Sequence, residues 1–502
     1  MRQQAFTRHG ILRGLDATRK SNSSEGRFGR MFRTLPQADF DPEVLKMLGD
    51  MMCADKELNP TPEDANPRDD EENTGISAGY TYLGQFIDHD ITFDPASSLQ
   101  KQNDPDSLED FRTPRFDLDN VYGRGPDDQP YLYESDGKKL LLSTRQLTGS
   151  GFDNNVRDLA RNQPDPKDLN APKRAIIGDP RNDENVIISQ LQGMFLRFHN
   201  RMVDFIPDAS FAEVQQQVRW HYQWVIVHDF LPTILGQQMV DSILPISGNP
   251  ILHFYHWRNQ PFMPVEFSVA AYRFGHSMVR PNYRLNTTLP NRFDIFSADP
   301  STSLTGFREF PSPWAIDWRL YFNFGNNPNE FSINRIQPAY KIDSSLVNPL
   351  KNLPPSIASQ ISNLAQRNLL RGLSMGLPSG QHVACAMGVP VIPDELLKVG
   401  KANLDGQKTN PTLVSTHASF KNKAPLWYYM LAEAQQVFVN NDTPIHLGPV
   451  GGRIVGEVFF GLLIGDSHSY LSQYPHFKPE KTFLNAAGKF GMAELLTQAR
   501  LD

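Results

Sequence analysis

Apolar residues recur every three or four positions in several stretches of the chain, which is the spacing of amphipathic α-helices. The run VIISQLQGMFLRFHNRMVDFI, within residues 185–206, predicts a long helix. The same spacing predicts further helices over 80–90, 211–235, 264–279, 355–375, 391–404, 426–439 and 452–464. Alternating strand-like runs are rare and no internal repeat is visible, so the pattern predicts a mainly α fold with little β structure.

The polar stretches predict how the chain is divided. Residues 1–75 are polar, look loop-like and end in the acidic tract PEDANPRDDEEN, and we interpret them as an N-terminal extension that wraps around the rest. Residues 95–180 are rich in Asp, Pro and Gly, which predicts long irregular loops. We therefore predict a single large domain over residues 76–502.

Composition narrows the class of protein. The 49 basic and 56 acidic residues give a net charge of −7, which gives no support to a nucleic-acid or anionic-membrane partner. Cys53 and Cys385 are the only cysteines in the sequence, so a disulfide framework is excluded. The first 20 residues lack the apolar core of a standard signal peptide, and the apolar run Val458–Ile464 is too short to cross a bilayer. These features fit a cytoplasmic protein, or one secreted without a standard signal peptide.

The stretch GQFIDHD, residues 84–90, places a histidine between two carboxylates. On a helix, Gln85 and His89 lie on one face, whereas Asp88 and Asp90 are turned to either side of His89. One short helix can thus present the imidazole to one ligand and a carboxylate to a second ligand.

A second stretch, TPRFDLDNVYG, carries polar groups at alternate positions: Thr113, Arg115, Asp117 and Asp119. In an extended loop these groups face one side, so a hydroxyl, a backbone carbonyl and two carboxylates can converge on a hard cation such as Ca²⁺. The spacing is not that of an EF-hand loop.

Three further stretches carry candidate chemistry. Arg181 and Glu184 lie three residues apart just before the long helix, and Gly275 beside His276 would let a flat group approach the backbone. Asn368 and Arg371 share a face of a helix that Gly376 and Pro378 end. Taken singly, each stretch also fits a structural role.

In this order, GQFIDHD, DNVYG, RNDE, RFGH and RNLLRGLSMGLP resemble the animal-type haem peroxidases, the superfamily of myeloperoxidase, lactoperoxidase, peroxinectin and their bacterial relatives. The resemblance covers roughly residues 75–480. It implies a single haem-peroxidase domain that uses H₂O₂ to oxidise small anionic or phenolic donors through the intermediate called compound I.

The resemblance also implies roles for residues. His89 corresponds to the distal base, Arg181 to the distal arginine and Gln85 to the distal glutamine. His276 corresponds to the iron ligand of a b-type haem, and Asn368 to the partner that fixes its tautomer.

Further roles concern the haem periphery and calcium. Asp88 and Glu184 correspond to the carboxylates that form ester bonds to haem, and Arg273 and Arg371 correspond to propionate contacts. The implied Ca²⁺ ligands are Asp90, Thr113, Arg115 through its carbonyl, Asp117 and Asp119.

Two departures from the family limit these implications. Asn185 follows Glu184 where myeloperoxidase has a methionine joined to haem, so iodide, bromide, thiocyanate or phenols are expected as donors rather than chloride. The scarcity of cysteine differs from the disulfide-rich vertebrate members and indicates a microbial-type enzyme. The sequence does not fix the oligomeric state.

Three alternatives stay open. One is a fatty-acid haem dioxygenase on the same scaffold, although the family's radical tyrosine position, three residues before the iron ligand, holds Arg273. Another is an adhesion or matrix-binding protein with a vestigial haem site. The last is an unrelated helical calcium-binding protein, which would leave His276 and Asn368 unexplained.

Overall fold

The structure is a computed structural model that describes most of the chain. The described residues are 26–55, 69–92, 109–110, 112–163, 167, 171, 173–245, 249–325, 332, 334–355, 357–358, 360–438 and 442–502. Their α-helices are α1 Pro42–Met51, α2 Ala78–Ile91, α3 Asp119–Tyr122, α4 Val186–Phe205, α5 Phe211–Val225, α6 Leu231–Leu235, α7 Gln237–Ile243, α8 Leu364–Ser374, α9 Gly380–Met387, α10 Gly406–Thr409, α11 Leu413–Thr416, α12 Leu426–Ala434, α13 Pro449–Gly465, α14 Tyr470–Gln473 and α15 Met492–Ala499.

The strands of the described residues are short. They are β1 Gly26–Gly29, β2 Glu72–Ser77, β3 Glu109–Asp110, β4 Met263–Pro264, β5 Asn282–Tyr283, β6 Phe293–Asp294 and β7 Pro338–Tyr340. A three-stranded sheet has the order β3-β1-β4, and two antiparallel pairs join β2 to β7 and β5 to β6. The prediction of a mainly α fold with little β structure is confirmed. Within the described part of the chain, no helix is long and apolar enough to cross a membrane.

The predicted helices over 80–90, 185–206 and 452–464 form as α2, α4 and α13. The predicted helix over 211–235 also forms, but Ile226–Phe230 within it is a π-helical turn. The prediction over 355–375 holds only from Leu364, where Asn363 caps the helix by accepting a hydrogen bond from the backbone N–H of Gln366. The prediction over 426–439 holds for Leu426–Ala434, followed by a 3₁₀ turn.

The predicted helix over 391–404 is wrong. It is reduced to a 3₁₀ turn at Asp394–Leu396, because Pro393 is itself extended and Lys398 pairs with Thr412 in an isolated β-bridge. The helix predicted over 264–279 is also irregular. A π turn covers Glu266–Ala270 and a 3₁₀ turn covers Ala271–His276.

A helix also forms where the polar N-terminal part of the sequence had suggested a loop. Asp41 accepts a hydrogen bond from the backbone N–H of Glu43 at the start of α1, and Leu45 and Leu48 bury their side chains as α1 packs along α8. The boundary at residue 75 stays a prediction, and residues 1–25 and 56–68 lie outside the described residues.

The N-terminal segment is also tied to elements that surround His276. Strand β1 pairs in parallel with β4, which directly precedes the π turn. Arg30 donates hydrogen bonds to the carbonyls of Met375 and Gly376 just beyond α8, at 2.7 and 3.0 Å. The buried Glu266 carboxylate accepts hydrogen bonds from the backbone N–H groups of Met31 and Phe32, both at 3.1 Å.

Helix α2 lies in the apolar core that positions the candidate site. Phe86 stacks on Phe195 of α4 with ring centroids 4.3 Å apart, and Tyr222 of α5 meets both rings edge-on. The 3₁₀ turn that carries His276 contacts α2, α12 and α13. The core thus holds the two candidate histidines on neighbouring elements.

Candidate active site

His89 sits on the buried side of α2, and its ring orientation is fixed. Its Nδ1–H donates to Oδ1 of Asn182 at 2.7 Å, and the amide of Asn182 is itself oriented because Nδ2–H donates to Oε1 of Gln192 at 2.8 Å. Burial, aided by the positive charge of Arg181, lowers the pKa of His89 to about 4. The ring is therefore neutral near pH 7, with its proton on Nδ1 and a lone pair on Nε2.

Arg181 lies beside His89 in the 3₁₀ turn Pro180–Asp183. Its Nη2 donates to the backbone carbonyl of His89 at 3.0 Å and to Oδ2 of Asp179 at 2.8 Å. Burial alone would raise the pKa of Asp179, but the charges and hydrogen bonds of Arg181 and Arg112 outweigh it and hold that pKa well below its ordinary value. The guanidinium is thus kept next to His89 by an ionised carboxylate.

Gln85 and Glu184 meet on the same side of α2. Nε2 of Gln85 donates a hydrogen bond to Oε1 of Glu184, and that oxygen lies 3.8 Å from Nε2 of His89. Although part of its side chain is accessible, the surrounding protein removes enough water to raise the pKa of Glu184 to about 7. Asp88, which precedes His89 on α2, is half-buried, and its negative charge contributes to raising the pKa of Glu184.

Asn185 caps helix α4. Its Oδ1 accepts hydrogen bonds from the backbone N–H groups of Ile187 and Ile188, and its Nδ2 donates to Oε1 of Gln85 at 3.4 Å. Asn185, one of the two departures noted from the sequence, therefore stabilises the start of helix α4.

His276 ends the 3₁₀ turn Ala271–His276, and its Nδ1 lies 2.8 Å from Nδ2 of Asn368 on α8. In this orientation the amide donates and the ring proton is on Nε2. An iron bond through Nε2 requires the proton on Nδ1. A half-turn of the Asn368 amide, which keeps the same shape, would place Oδ1 there as the acceptor. Burial, with the charge of Arg273, lowers the pKa of His276 to about 3, so the ring is neutral near pH 7.

The space beside His276 fits a flat group. A Cβ atom built on Gly275 would meet no atom within 4 Å among the described residues, whereas the neighbouring Tyr272 and Phe274 are buried. The hydroxyl of Tyr272 donates to the backbone carbonyl of Gly84 at 3.2 Å, which joins this turn to α2. Since residues three apart share a face of a 3₁₀ turn, Arg273 rather than Tyr272 lies on the face of His276.

Cationic side chains gather on the His276 side. Arg273 donates through Nε to the carbonyl of Ser268 at 2.9 Å, and its own carbonyl accepts a hydrogen bond from Nε1 of Trp427 at 3.2 Å. Burial, followed by the charge of Arg273, lowers the pKa of Arg367 on α8. Arg371 lies one turn further along α8, with its Nη1 buried. This charge suits the carboxylates of a haem periphery.

Behind His89, the carboxylates of Asp90, Asp117 and Asp119 offer oxygen atoms that all lie within 4.8 Å of one another. Both carboxylate oxygens of Asp90 are buried and accept no hydrogen bond from the described residues. Burial, reinforced by the neighbouring acids, raises the pKa of Asp90 well above its ordinary value, and burial raises that of Asp119 to about 7. A hard cation would relieve both effects, so the donor set fits Ca²⁺.

The two other predicted ligands lie close to this cluster along the chain. Thr113 donates through Oγ1 to Oδ2 of Asp117 at 2.8 Å, and the backbone N–H of Arg115 donates to the carbonyl of Thr113 at 2.7 Å. The guanidinium of Arg115 lies 4.0 Å from Asp466, which leaves the proposed role of its carbonyl untouched.

Three residues of the site were not predicted from the sequence: Arg112, Asp179 and Asn182. Arg112 forms ion pairs with Asp119, at 3.2 Å, and with Asp179, so the acidic cluster is connected through Asp179 to Arg181. The available signal was that Asp179 and Asn182 flank Arg181 within two residues. Nothing in their spacing, however, indicates which partners they meet.

The mainly α fold carries a neutral buried imidazole on each of two contacting elements, with open space beside one and an acidic cluster beside the other. This arrangement suits a haem site. The sequence matches the animal haem peroxidase family over residues 101–394. The chain belongs to this family.

Known proteins agree with this assignment. Dual oxidase of Drosophila melanogaster is 33% identical over 158 residues, covering 30% of this chain and 9% of the relative. The peroxidase-like protein of Margaritifera margaritifera is 28% identical over 250 residues, 40% and 31% of the two chains. Thyroid peroxidase of Rattus norvegicus is 25% identical over 279 residues, 52% and 29% of the chains. The matched regions thus span less than a third of these relatives.

Two solved structures share the fold. Peroxidase A from Dictyostelium discoideum has a TM-score of 0.59 at 16% identity and covers 90% of this chain and 89% of its own. The fatty acid alpha-dioxygenase of Oryza sativa has a TM-score of 0.52 at 13% identity and covers 95% and 85%. At these identities the likeness concerns the fold alone.

Proposed function

We propose that the protein is a haem peroxidase that reduces H₂O₂ and oxidises small donors such as iodide, bromide, thiocyanate or phenols. One observation carries the proposal above all: His89 is neutral, buried and oriented by Asn182, so that its unprotonated Nε2 faces away from Asn182, with Arg181 beside it. Family membership makes haem the group that this imidazole would serve.

Binding of haem b is assigned to residues on both elements. His276 would be the iron ligand and Asn368 the partner of its second nitrogen. Asp88 and Glu184 would form the ester bonds, and Arg273 and Arg371 would pair with the propionates. The open space at Gly275 supports this arrangement.

When bound, haem would supply the iron centre for cleavage of the O–O bond of peroxide. His89 Nε2 would accept a proton from peroxide and return it to the leaving oxygen, which requires the neutral ring found near pH 7. The Arg181 cation stabilises the negative charge that develops on the leaving oxygen. The amide of Gln85 orients water or the donor beside Glu184.

Calcium would connect α2 to the loop that follows it. The proposed ligands are Asp90, Thr113, Arg115 through its carbonyl, Asp117 and Asp119. Because Asp90 is adjacent to His89 on α2, an ion held there would fix the register of the helix that presents the base.

The residue at position 185 limits which electron donors we expect the enzyme to oxidise. Asn185 caps α4 and offers no sulfur for a third covalent link to haem, so we expect the enzyme to be less oxidising than myeloperoxidase and to leave chloride unreacted. The fold likeness to fatty acid alpha-dioxygenase supports a second candidate, oxidation of a fatty acid by O₂. Oxygen uptake with a fatty acid in the absence of peroxide would favour that candidate.

The deciding experiment is the absorption spectrum of the purified protein before and after one equivalent of H₂O₂. We expect a haem Soret band that changes within milliseconds to seconds and returns when iodide or a phenol is added. In His89→Gln the rate of this change should fall by about 10²–10⁴-fold with the haem content unchanged. The matched control is His199→Gln, which replaces a buried imidazole in another part of the fold. This variant should react with H₂O₂ at the rate of the wild type. A protein without a Soret band, or an unchanged rate in His89→Gln, would refute the proposal.

The proposed ester bonds have their own readout. Haem should resist extraction by acidic organic solvent from the wild type and become fully extractable from the double variant Asp88→Asn, Glu184→Gln. Full extraction from the wild type would refute the ester bonds but leave the peroxidase proposal standing.

A further inference from the structure

Tyr82 lies on the same stripe of α2 as two residues of the candidate active site. It comes three residues before Gln85 and seven before His89, and residues at these intervals share one face of a helix. The hydroxyl of Thr81 donates to the backbone carbonyl of Met278 at 3.4 Å, so this turn of α2 also lies against the segment just beyond the candidate iron ligand. Tyr82 thus places an oxidisable ring on the active-site face of α2.

A line of buried rings leads away from Tyr82. The ring of Tyr283 meets that of Tyr82 edge-on with centroids 5.3 Å apart, and Tyr321 lies nearly parallel to Tyr283 at 6.4 Å. The ring of Trp318 follows, 5.7 Å from Tyr321 and 6.2 Å from Phe322. All five rings are buried. Because tyrosine and tryptophan are the most easily oxidised aromatic side chains, electrons can pass between neighbouring members of this line.

The line ends at Tyr80, which differs from the other members in its exposure. The ring of Phe322 meets that of Tyr80 edge-on with centroids 5.4 Å apart. Tyr80 is half-buried, whereas the five other rings are buried. Tyr80 comes two residues before Tyr82 on α2 and therefore points to another side of the helix. The rings thus connect the active-site face of α2 to a tyrosine that solvent partly reaches.

Tyr80 also has a proton acceptor. Its hydroxyl donates to Oδ1 of Asp229 at 2.5 Å, and Oδ2 of Asp229 accepts a hydrogen bond from the backbone N–H of Met492 at 2.7 Å. Asp229 lies in the π-helical turn Ile226–Phe230, and π turns inside helices are frequent at functional sites. Burial raises the pKa of Asp229 above its ordinary value, so this carboxylate takes up a proton more readily than an exposed one.

We propose that Tyr80 is a one-electron oxidation site for phenolic donors too large to enter the candidate haem site, and that the rings of Tyr82, Tyr283, Tyr321, Trp318 and Phe322 connect it to that site. A donor needs only to touch the half-buried ring of Tyr80, so its size is not restricted. The inference rests on the proposed function, because H₂O₂ reacting at haem is the source of the oxidising equivalents.

The steps balance in electrons and protons. Tyr80 gives one electron along the line of rings to the site that H₂O₂ has oxidised, and its hydroxyl proton moves to Oδ1 of Asp229, which leaves a neutral tyrosyl radical. A phenol at the surface then gives one electron to Tyr80, Asp229 returns the proton to the Tyr80 oxygen, and the proton of the phenol goes to solvent. Over two such rounds, one H₂O₂ and two phenols give two water molecules and two phenoxyl radicals.

The first test is freeze-quench electron paramagnetic resonance of the full haem-loaded chain mixed with one equivalent of H₂O₂. We expect a tyrosyl radical, identified by the narrower signal of protein made with ring-deuterated tyrosine. Tyr80→Phe keeps the ring and should lose this signal, whereas the matched control Tyr131→Phe, at an exposed position, should keep it. The same signal in Tyr80→Phe as in the wild type would overturn the proposal.

Two further variants separate electron transfer from a structural role. Asp229→Asn keeps the shape of the side chain but cannot take the proton, so the radical should form about 10²-fold more slowly. Tyr283→Phe keeps the ring but removes its oxidisable hydroxyl, and it should also slow radical formation. A purely structural contact would change the midpoint of thermal unfolding and leave the rate of radical formation as it is. Equal rates in Asp229→Asn and the wild type would therefore overturn the proposal.

The size of the donor gives an independent outcome. The ratio of kcat/KM for a phenol coupled to dextran to kcat/KM for iodide should fall by at least about tenfold in Tyr80→Phe, because only the coupled phenol depends on Tyr80. An unchanged ratio would contradict the proposal.

The Soret band distinguishes a failure of this inference from a failure of the proposed function. A wild type whose Soret band responds to H₂O₂ without any tyrosyl signal would refute the role of Tyr80 alone. A Soret band that does not respond would refute both.

Discussion

At the scale of single residues, Asn182 determines which nitrogen of His89 carries the proton. Its Oδ1 accepts from Nδ1, and its amide cannot turn without losing the hydrogen bond to Gln192. A base for peroxide needs the lone pair on the opposite nitrogen. Asn182 is therefore a positioning residue for the reaction, acting through His89.

We predict that Asn182→Ala slows the reaction with peroxide by about 10–100-fold while haem remains bound, because the imidazole can then adopt the wrong tautomer or rotate. Stopped-flow absorption at the Soret band measures the rate. Asn182→Asp should restore most of the rate, and it should shift the acid limb of the pH–rate profile upward, since a carboxylate raises the pKa of His89. A profile that does not move in Asn182→Asp would limit Asn182 to a structural role.

Residues such as Asn182, Asp179 and Arg112 could not have been predicted from the sequence. Each acts through a partner distant in the chain, and Asn and Asp beside an arginine are equally common in ordinary turns. By contrast, Asp117 and Asp119 were predicted from spacing and Asp90 from the family resemblance, and their carboxylates meet in the structure. Local sequence patterns show which side chains are available for binding or catalysis, whereas the fold decides which residues those side chains contact.

At the scale of elements, α2 connects two sites. Its buried face carries His89 towards Asn182 and Asp90 towards the acidic cluster, and Phe86 fixes the helix against α4. A chain of ion pairs also joins Asp119 through Arg112 and Asp179 to Arg181, which lies beside His89. We therefore expect that fixing the carboxylates of Asp90, Asp117 and Asp119 also fixes the positions of His89 and Arg181.

We predict that Ca²⁺ raises the midpoint of thermal unfolding and that a chelator lowers it, because three closely spaced carboxylates repel one another without a cation. Asp119→Asn removes one ligand charge and should weaken Ca²⁺ affinity by at least about tenfold, measured by calorimetric titration. Asp70→Asn, in the other acidic group of the described residues, is the matched control and should leave the affinity unchanged. Identical titrations of Asp119→Asn and the wild type would exclude this cluster as the calcium site.

The segment that carries His276 shows where element prediction failed. Its apolar spacing predicted a regular helix, but the chain forms a π turn followed by a 3₁₀ turn. The departure is tertiary in origin, since Glu266 bonds the N-terminal segment and Tyr272 reaches across to Gly84. These contacts, which a periodicity analysis does not contain, set the path of the backbone into His276.

At the scale of the whole molecule, the apolar core also contains imidazoles that take no part in the proposed reaction. His199 lies between the hydroxyl of Tyr122, 3.0 Å from Nδ1, and the carbonyl of Lys138, 2.8 Å from Nε2. Burial lowers the pKa of His199 to about 4, from 6.5 for a solvated ring. Between pH 4 and 6.5 the unfolded chain therefore binds a proton at His199 that the folded protein does not bind.

We predict that the free energy of unfolding decreases as the pH falls from 6.5 to 4, by on the order of 3 kcal/mol for His199 alone. Above pH 6.5 this contribution is constant, because the ring is neutral in both states. Urea denaturation at a series of pH values measures the slope. His199→Gln should flatten it, and His382→Gln at an exposed position should not. A slope unchanged by His199→Gln would contradict the assigned shift.

The sequence by itself determined the mainly α class, the positions of the longest helices and the family, because periodicity and short motifs are local properties of the chain. It also offered the candidate ligands of haem and calcium. Only the tertiary structure decided the partners of His89 and His276, the irregular turn before His276 and the helix at Pro42–Met51. These features depend on which distant segments of the chain pack against each other. Burial then makes an unpaired charge costly and shifts the pKa of a titratable group, and neither effect can be read from local sequence.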